Sequence, residues 1–176
     1  LNSIFTKAAS NGWAGVGKLL KGGSSHTSIA RFLIDQFERH GPRPVFSEGK
    51  LWEFKTTHWT PISNKHLRGL VQDLDGILIN KKHFQANKPF IDGTLNELYS
   101  MCQEEDFFEN APLGINSRNG FIALNKSGDA RLIEHSPNQA QRHVLEVNWH
   151  QDLLQSDADL LNALFNGCFG GNPEAH

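Results

Sequence analysis

Val45-Phe46, Leu51-Trp52-Glu53-Phe54 and Trp59-Thr60 are three short runs of aromatic and branched residues, parted by Glu48-Gly49-Lys50 and by Lys55-Thr56-Thr57-His58. Such residues suit a pleated, half-buried surface, and the separators are of turn type. The stretch therefore predicts a small antiparallel meander. Helical patterns flank it on both sides. Upstream, Ile29, Phe32, Leu33 and Phe37 recur at helical spacing, with Thr27 or Ser28 as the cap and Gly41-Pro42 as the stop. Downstream, Ser63 or Asn64 caps a helix that carries Leu67, Leu70, Val71 and Leu74 and closes at Gly76. Helices beside hairpins make the expected class α+β, with short antiparallel strands packed against about four helices.

The remaining helices and strands follow the same logic. Thr94-Leu95-Asn96-Glu97 has the form of a capping box and predicts the start of a third helix with Leu95, Leu98 and Met101 or Cys102 inward. Gly120-Phe121-Ile122-Ala123-Leu124 and Ala130-Arg131-Leu132-Ile133-Glu134 flank the turn-rich Asn125-Lys126-Ser127-Gly128-Asp129 and predict a second hairpin. Val144, Val147 and Trp149 predict one more extended stretch. Ser156 to Gly167, with Leu160, Leu161, Leu164 and Phe165, predicts a last helix. Residues 1–28, rich in Gly, Ser, Ala and Lys, read as a flexible linker, and residues 29–176 as the folded domain.

With 176 residues, 38% hydrophobic and 20% charged, the chain can bury a core and lacks the composition of a disordered polypeptide. No run approaches the roughly 18 apolar residues of a membrane span, and no signal-type segment opens the sequence, so no membrane partner is expected. Cys102 and Cys168 form no CxxC pair, which fits a reducing, cytoplasmic setting. The formal net charge of −2 hides two unlike halves. Leu1 to Lys88 holds 13 Lys and Arg against 6 Asp and Glu, whereas Pro89 to His176 holds 4 against 13. A basic first half can attract phosphate backbones through counterion release.

Chemistry-bearing patterns are few. Gly12-Trp13-Ala14-Gly15-Val16-Gly17-Lys18-Leu19 follows the phosphate-loop pattern as far as its lysine, but it ends in leucine and follows no strand, so nucleotide binding is not expected there. His135, His143 and His150 lack the spacing of a metal clip, and no metal site is expected. Glu104-Glu105-Asp106 with Glu109 reads as the solvated end of a helix. Cys168 has no identifiable histidine partner. The candidates for DNA contact are Lys50, Lys55, Lys65, Arg68, Lys81, Lys82 and Lys88 for phosphates, and Trp52 and Trp59 for stacking on bases. Packing is the competing reading of the tryptophans. No residue is expected to be catalytic.

Two stretches resemble a known family. Gly49-Lys50-Leu51-Trp52-Glu53-Phe54 with His58-Trp59-Thr60-Pro61 is similar to its early tryptophan hairpin. Asn119-Gly120-Phe121-Ile122-Ala123-Leu124, continuing through Leu132-Ile133-Glu134-His135-Ser136-Pro137-Asn138, is similar to its "NG, aliphatic, then leucine-x-x-HSP" block. The family is the poxvirus-type primase-helicase N-terminal-like domain, found between a primase and a superfamily 3 ATPase in phage, plasmid and viral replication proteins. The similarity spans Ile29 to Pro173. Asn125 and Lys126 depart from the acidic or arginine-threonine pair often seen there, and no helicase phosphate loop follows within the chain. The resemblance implies a non-catalytic connector or collar that helps a helicase ring assemble and guides single-stranded or forked DNA. It implies adjacent helicase and primase domains and further copies of the parent as partners. ATP and magnesium are expected for the parent, and no cofactor for this piece. The competing expectation is a small metal-dependent nuclease or phosphotransferase that uses the Asp, Glu and His content.

Overall fold

The computed structural model describes residues 25–79, 82–125 and 130–150. Within them the chain forms two units: one holds the described residues up to Pro112 together with His135–Val144, the other holds Leu113–Glu134 and the described residues from Leu145 onward. The chain thus leaves the first unit, builds most of the second, returns to the first for ten residues and leaves again.

In the first unit, helix α1 spans His26–Glu38. Its cap is Ser25, whose hydroxyl accepts the Ser28 amide, rather than Thr27 or Ser28, so the helix starts inside the stretch read as linker. Residues 1–24, with the incomplete phosphate loop, lie outside the described residues. Strands β1 (Val45–Ser47), β2 (Lys50–Lys55) and β3 (His58–Pro61) form the expected meander in the order β1-β2-β3. At its first turn Glu48 and Gly49 both take positive φ, 52° and 71°, the mirror-image turn that matches strand twist and that glycine adopts most readily. Helix α2 (Asn64–Gln72) is capped by Ser63 as expected. A two-rung hairpin of β4 (Leu78–Ile79) and β5 (Lys82–His83) follows where the sequence showed only polar, basic residues.

Helix α3 spans Lys88–Met101 and begins six residues before the predicted capping box. The Asn87 side chain caps it by accepting the Phe90 amide, with Pro89 in its first turn. Thr94 is therefore an interior residue, fully buried. Glu97 instead accepts a hydrogen bond from the Thr27 hydroxyl of α1 at 3.2 Å.

Period-two alternation splits the meander between two cores. Leu51, Phe46 and Ile62 join α1, α2 and α3 in one cluster with Leu33, Leu67, Leu95 and Leu98. Val45, Trp52, Phe54 and Trp59 occupy the opposite face, with Phe107, Phe108 and Ala140. The tryptophans thus pack, but on the face away from the helices. Trp59 meets Phe107 edge-on at 5.0 Å and Trp52 meets Phe108 at 4.7 Å.

The returning segment closes this aromatic cluster. Ser136 and Gln139 form a capping box on a 3-10 turn, Pro137–Gln139, and Ala140 follows in the left-handed region at φ 49°. The Trp59 indole donates to the Pro137 carbonyl at 2.9 Å, and its backbone amide donates to the Gln141 carbonyl at 2.7 Å. Arg142 then reaches both carboxylate oxygens of Glu48 at 2.7 Å and covers the Phe108 ring.

The second unit is an antiparallel sheet of β6 (Gly114–Ser117), β7 (Gly120–Leu124) and β8 (Ala130–Ile133), in that order. The predicted hairpin is β7–β8, its turn lying outside the described residues; β6 was not foreseen. The extended stretch expected from Val144, Val147 and Trp149 does not form a strand: Leu145 makes one isolated parallel bridge to Ser117, the chain bends at Glu146 and Val147, and Arg118 donates its amide to the Val147 carbonyl at 3.0 Å. Gly114 lies under the Phe121 ring, where an added Cβ would stand 2.3 Å from a ring carbon and 2.5 Å from the Ile122 carbonyl oxygen. The helix predicted over 156–167 lies outside the described residues. The architecture is a small α+β fold with three α-helices and two three-stranded sheets among the described residues.

Two consequences are measurable by urea denaturation. Trp59→Phe removes the indole donor from the Pro137 carbonyl, which still accepts the Ala140 amide, and is expected to cost about 0.5–1.5 kcal/mol, against about 3–5 kcal/mol for Trp59→Ala. Gly114→Ala is expected to cost about 1–3 kcal/mol through overpacking against Phe121.

Candidate nucleic-acid interface

Of the residues singled out for DNA contact, the tryptophans are corrected by burial. Trp52 and Trp59 are 6% and 2% exposed, and each indole N–H is taken by a backbone carbonyl, Ser47 for Trp52 and Pro137 for Trp59. A ring with both faces in a core cannot stack on a base. Their role is structural.

The basic residues divide by position and by pairing. Lys50 and Lys55 stand at the two ends of β2 on opposite faces, so one phosphate cannot engage both. Lys50 holds its ammonium 6.0 Å over the Trp52 ring, and Lys55 forms an ion pair with Glu53 at 2.7 Å. Lys82 sits on β5 opposite Ile79, and Lys81 lies outside the described residues. Lys65, Arg68 and Lys88 form the one grouping with a shared geometric reference. Arg68 of α2 pairs with Asp92 of α3, which pins the two helices together. Lys65 lies three residues before Arg68, and Lys88 four residues before Asp92, so each stands one helical turn from that pair. Both lysines are exposed, and neither has an ion pair among the described residues.

Lys88 also occupies the first turn of α3, where the helix dipole disfavours a cation. Its charge and the free amides of that turn add to a positive local field. Arg68 has a second electrostatic effect: burial raises the Tyr99 hydroxyl above its ordinary value, and the guanidinium partly offsets that shift. Asp92 was missed in the sequence because the pair spans 24 residues between two helices.

A cavity of about 320 Å³ forms beside Lys55, with Phe37 and Phe54 as apolar walls and His40, Pro42 and Thr56 at its margin. Sequence inspection gave no reason to join His40 to Lys55, because the α1 terminus and the β2–β3 turn meet only in the fold. The acidic run lies on turns after α3 instead of on a helix. Glu104, Glu105 and Asp106 are exposed and line a depression of about 370 Å³ with Phe107, Asn110 and Asn138. Glu104 donates its amide to the Phe46 carbonyl at 3.0 Å, so that segment extends the meander at β1. Among the described residues no group of three or more His, Cys, Asp or Glu could hold a metal ion. The Cys102 thiol is buried, and that burial pushes its pKa up to about 11. No helix among the described residues is long and apolar enough to cross a membrane.

A family model described as D5 N terminal like matches residues 30–168. The chain belongs to that family. The D5 N-terminal-like domain precedes the helicase in phage and poxvirus primase-helicase proteins. A search of curated proteins finds no match.

In this D5 N-terminal-like domain, the two motifs that carried the resemblance have structural work. The tryptophan hairpin supplies the aromatic core, and Ser136-Pro137 supplies the segment that closes it. Asn119 clamps the Trp149 backbone with two hydrogen bonds of 2.9 Å, one given and one accepted. The Arg68–Asp92 pair is 31% and 44% exposed, so solvent screens it. A double-mutant cycle is expected to give a coupling of about 0.3–1 kcal/mol.

Proposed function

We propose that this domain is a non-catalytic connector of a DNA-replication primase-helicase, a collar that helps the helicase ring assemble and meets DNA through Lys65, Arg68 and Lys88. The match over residues 30–168 to a domain that precedes the helicase is the observation that carries the reading. ATP and magnesium act in the adjoining helicase of the parent protein, which together with a primase domain and further copies of the parent forms the domain's surroundings in the cytoplasm.

Charge and geometry support the DNA contact. Exposed, unpaired lysines on two helices held side by side release counterions when they meet phosphates, and nothing in that chemistry reads base sequence. Arg68 adds a guanidinium whose carboxylate partner is itself half-exposed and exchangeable. Binding is therefore expected to be sequence-independent and strongly salt-dependent.

Fluorescence anisotropy with single-stranded and forked DNA at two salt concentrations tests this. Affinity should fall steeply with salt, and Lys65→Ala with Lys88→Ala should flatten the log–log salt slope by about 1.4 on single strands. No binding at low salt would reject DNA contact. The collar is tested by ring assembly of the parent with and without this domain.

A further inference from the structure

The cavity of about 320 Å³ beside Lys55 lies wholly within the first unit, where the end of α1 meets the β2–β3 turn. Exposure grades its lining by depth. Phe37 is buried, Pro42 and Glu53 are half-buried, and His40, Lys55 and Thr56 are exposed. Glu53 and Lys55 stand two residues apart on β2, on the same face as Leu51, which packs against the helices. Their ion pair at 2.7 Å joins a carboxylate 17% exposed to an ammonium side chain 42% exposed, so the carboxylate is held from the mouth of the cavity. Two of the three ammonium protons remain for another partner. The His40 ring and the Thr56 hydroxyl make no hydrogen bond, ion pair or ring contact among the described residues. Donors thus stand at the mouth, and an acceptor lies further in beside an apolar wall. The turn itself is strained: Thr56 takes φ 61°, uncommon for a branched residue, and the Thr57 amide donates across it to the Lys55 carbonyl. Backbone strain of this kind concentrates at ligand sites.

We propose that this cavity binds one nucleotide whose base carries an exocyclic amine, supplied free or as a unit of a strand. Glu53 accepts from the amine, as carboxylates do from cytosine. Phe37 and Pro42 meet the ring, and Lys55, His40 and Thr56 hold the phosphate at the mouth. The order of the groups selects this class. A basic side chain would bring its cation against Lys55 and His40, and a purely apolar one would desolvate Glu53 without giving it a donor. The volume lies at the lower end of small-molecule sites, with room for one nucleotide and not for a dinucleotide. Gly41 completes the lining. A Cβ added there would meet only the Phe54 carbonyl oxygen, at 4.0 Å, so a larger side chain can be introduced into the cavity wall without a clash.

The test is amide NMR of the whole 176-residue chain titrated with two matched pairs, dCMP against dUMP and dAMP against dIMP, in which an oxygen replaces the amine. Signals of His40, Gly41, Lys55 and Thr56 should shift with dCMP, dAMP or both, while those of Leu67 and Leu98 stay in place. The partner lacking the amine should bind at least about tenfold more weakly, the loss of one hydrogen bond to a charged group. Glu53→Gln should erase that preference, and Gly41→Leu should abolish the shifts, with the Leu67 and Leu98 signals reporting that each variant is folded. Oligo(dC) that shifts the same signals at lower concentration than dCMP would make the source a strand; shifts with dCMP alone would make it a free nucleotide, and either supports the site. Equal affinity within both pairs, equal shifts with inorganic phosphate, binding that survives Gly41→Leu, or no shift at millimolar nucleotide would overturn the proposal. The mononucleotide arm contains no DNA, so its failure is distinct from a failure of the salt-dependent contact through Lys65, Arg68 and Lys88.

Discussion

The indole of Trp59 is the point at which a discontinuous chain becomes one unit. It sits in β3, yet its ring N–H is bonded 78 residues later, to Pro137, and its backbone amide reaches Gln141. Neither partner exists until the chain has built most of a second unit and come back. Burying an aromatic ring gains a large apolar area, but burying an indole N–H unpaired would forfeit much of it. The returning carbonyl removes that penalty, so the aromatic core and the closing segment stabilise each other or neither forms. Ser136 and Gln139 shape the segment for this contact, and Arg142 fastens its far end across Glu48, a residue held at positive φ in the β1–β2 turn.

This constraint reassigns the most conspicuous residues. Basic and aromatic side chains interleaved on a meander suit single-strand recognition, but Trp52 and Trp59 are consumed by packing and hydrogen bonding. What is left for a polyanion is cationic and sequence-blind: lysines on α2 and α3 beside an arginine that already bridges the two helices. In the proposed DNA contact, such a surface is indifferent to base sequence, because phosphate contacts carry no sequence information.

The two units also differ in how they finish their cores. The first is closed on both faces of its meander, by helices on one side and by the aromatic cluster on the other. The second leaves Leu113, Ile115, Ile133, Leu145 and Val147 exposed. Gly114 shows how tightly the rest of that sheet is fitted, because the Phe121 ring occupies the place of its absent side chain.

Much of the fold was legible in the sequence. Strand-forming runs with turn residues between them fixed both hairpins, and apolar residues at helical spacing fixed α1 and α2, because these signals depend on neighbours within a few residues. The local signals misled where two of them competed: Thr94 to Glu97 has the form of a helix start, yet Asn87 with Pro89 caps α3 earlier and leaves Thr94 buried in its middle. The block from Asn119 to Asn138 was legible as a family resemblance before its physical meaning was. What only tertiary structure decided were the relations between distant residues: the return of Pro137 to Trp59, the pairing of Arg68 with Asp92, the meeting of His40 with Lys55, and the face of the meander on which the tryptophans lie. Periodicity records that a side chain alternates between inside and outside. It carries no information about which other part of the chain will be waiting there, because that depends on the path of the backbone between them.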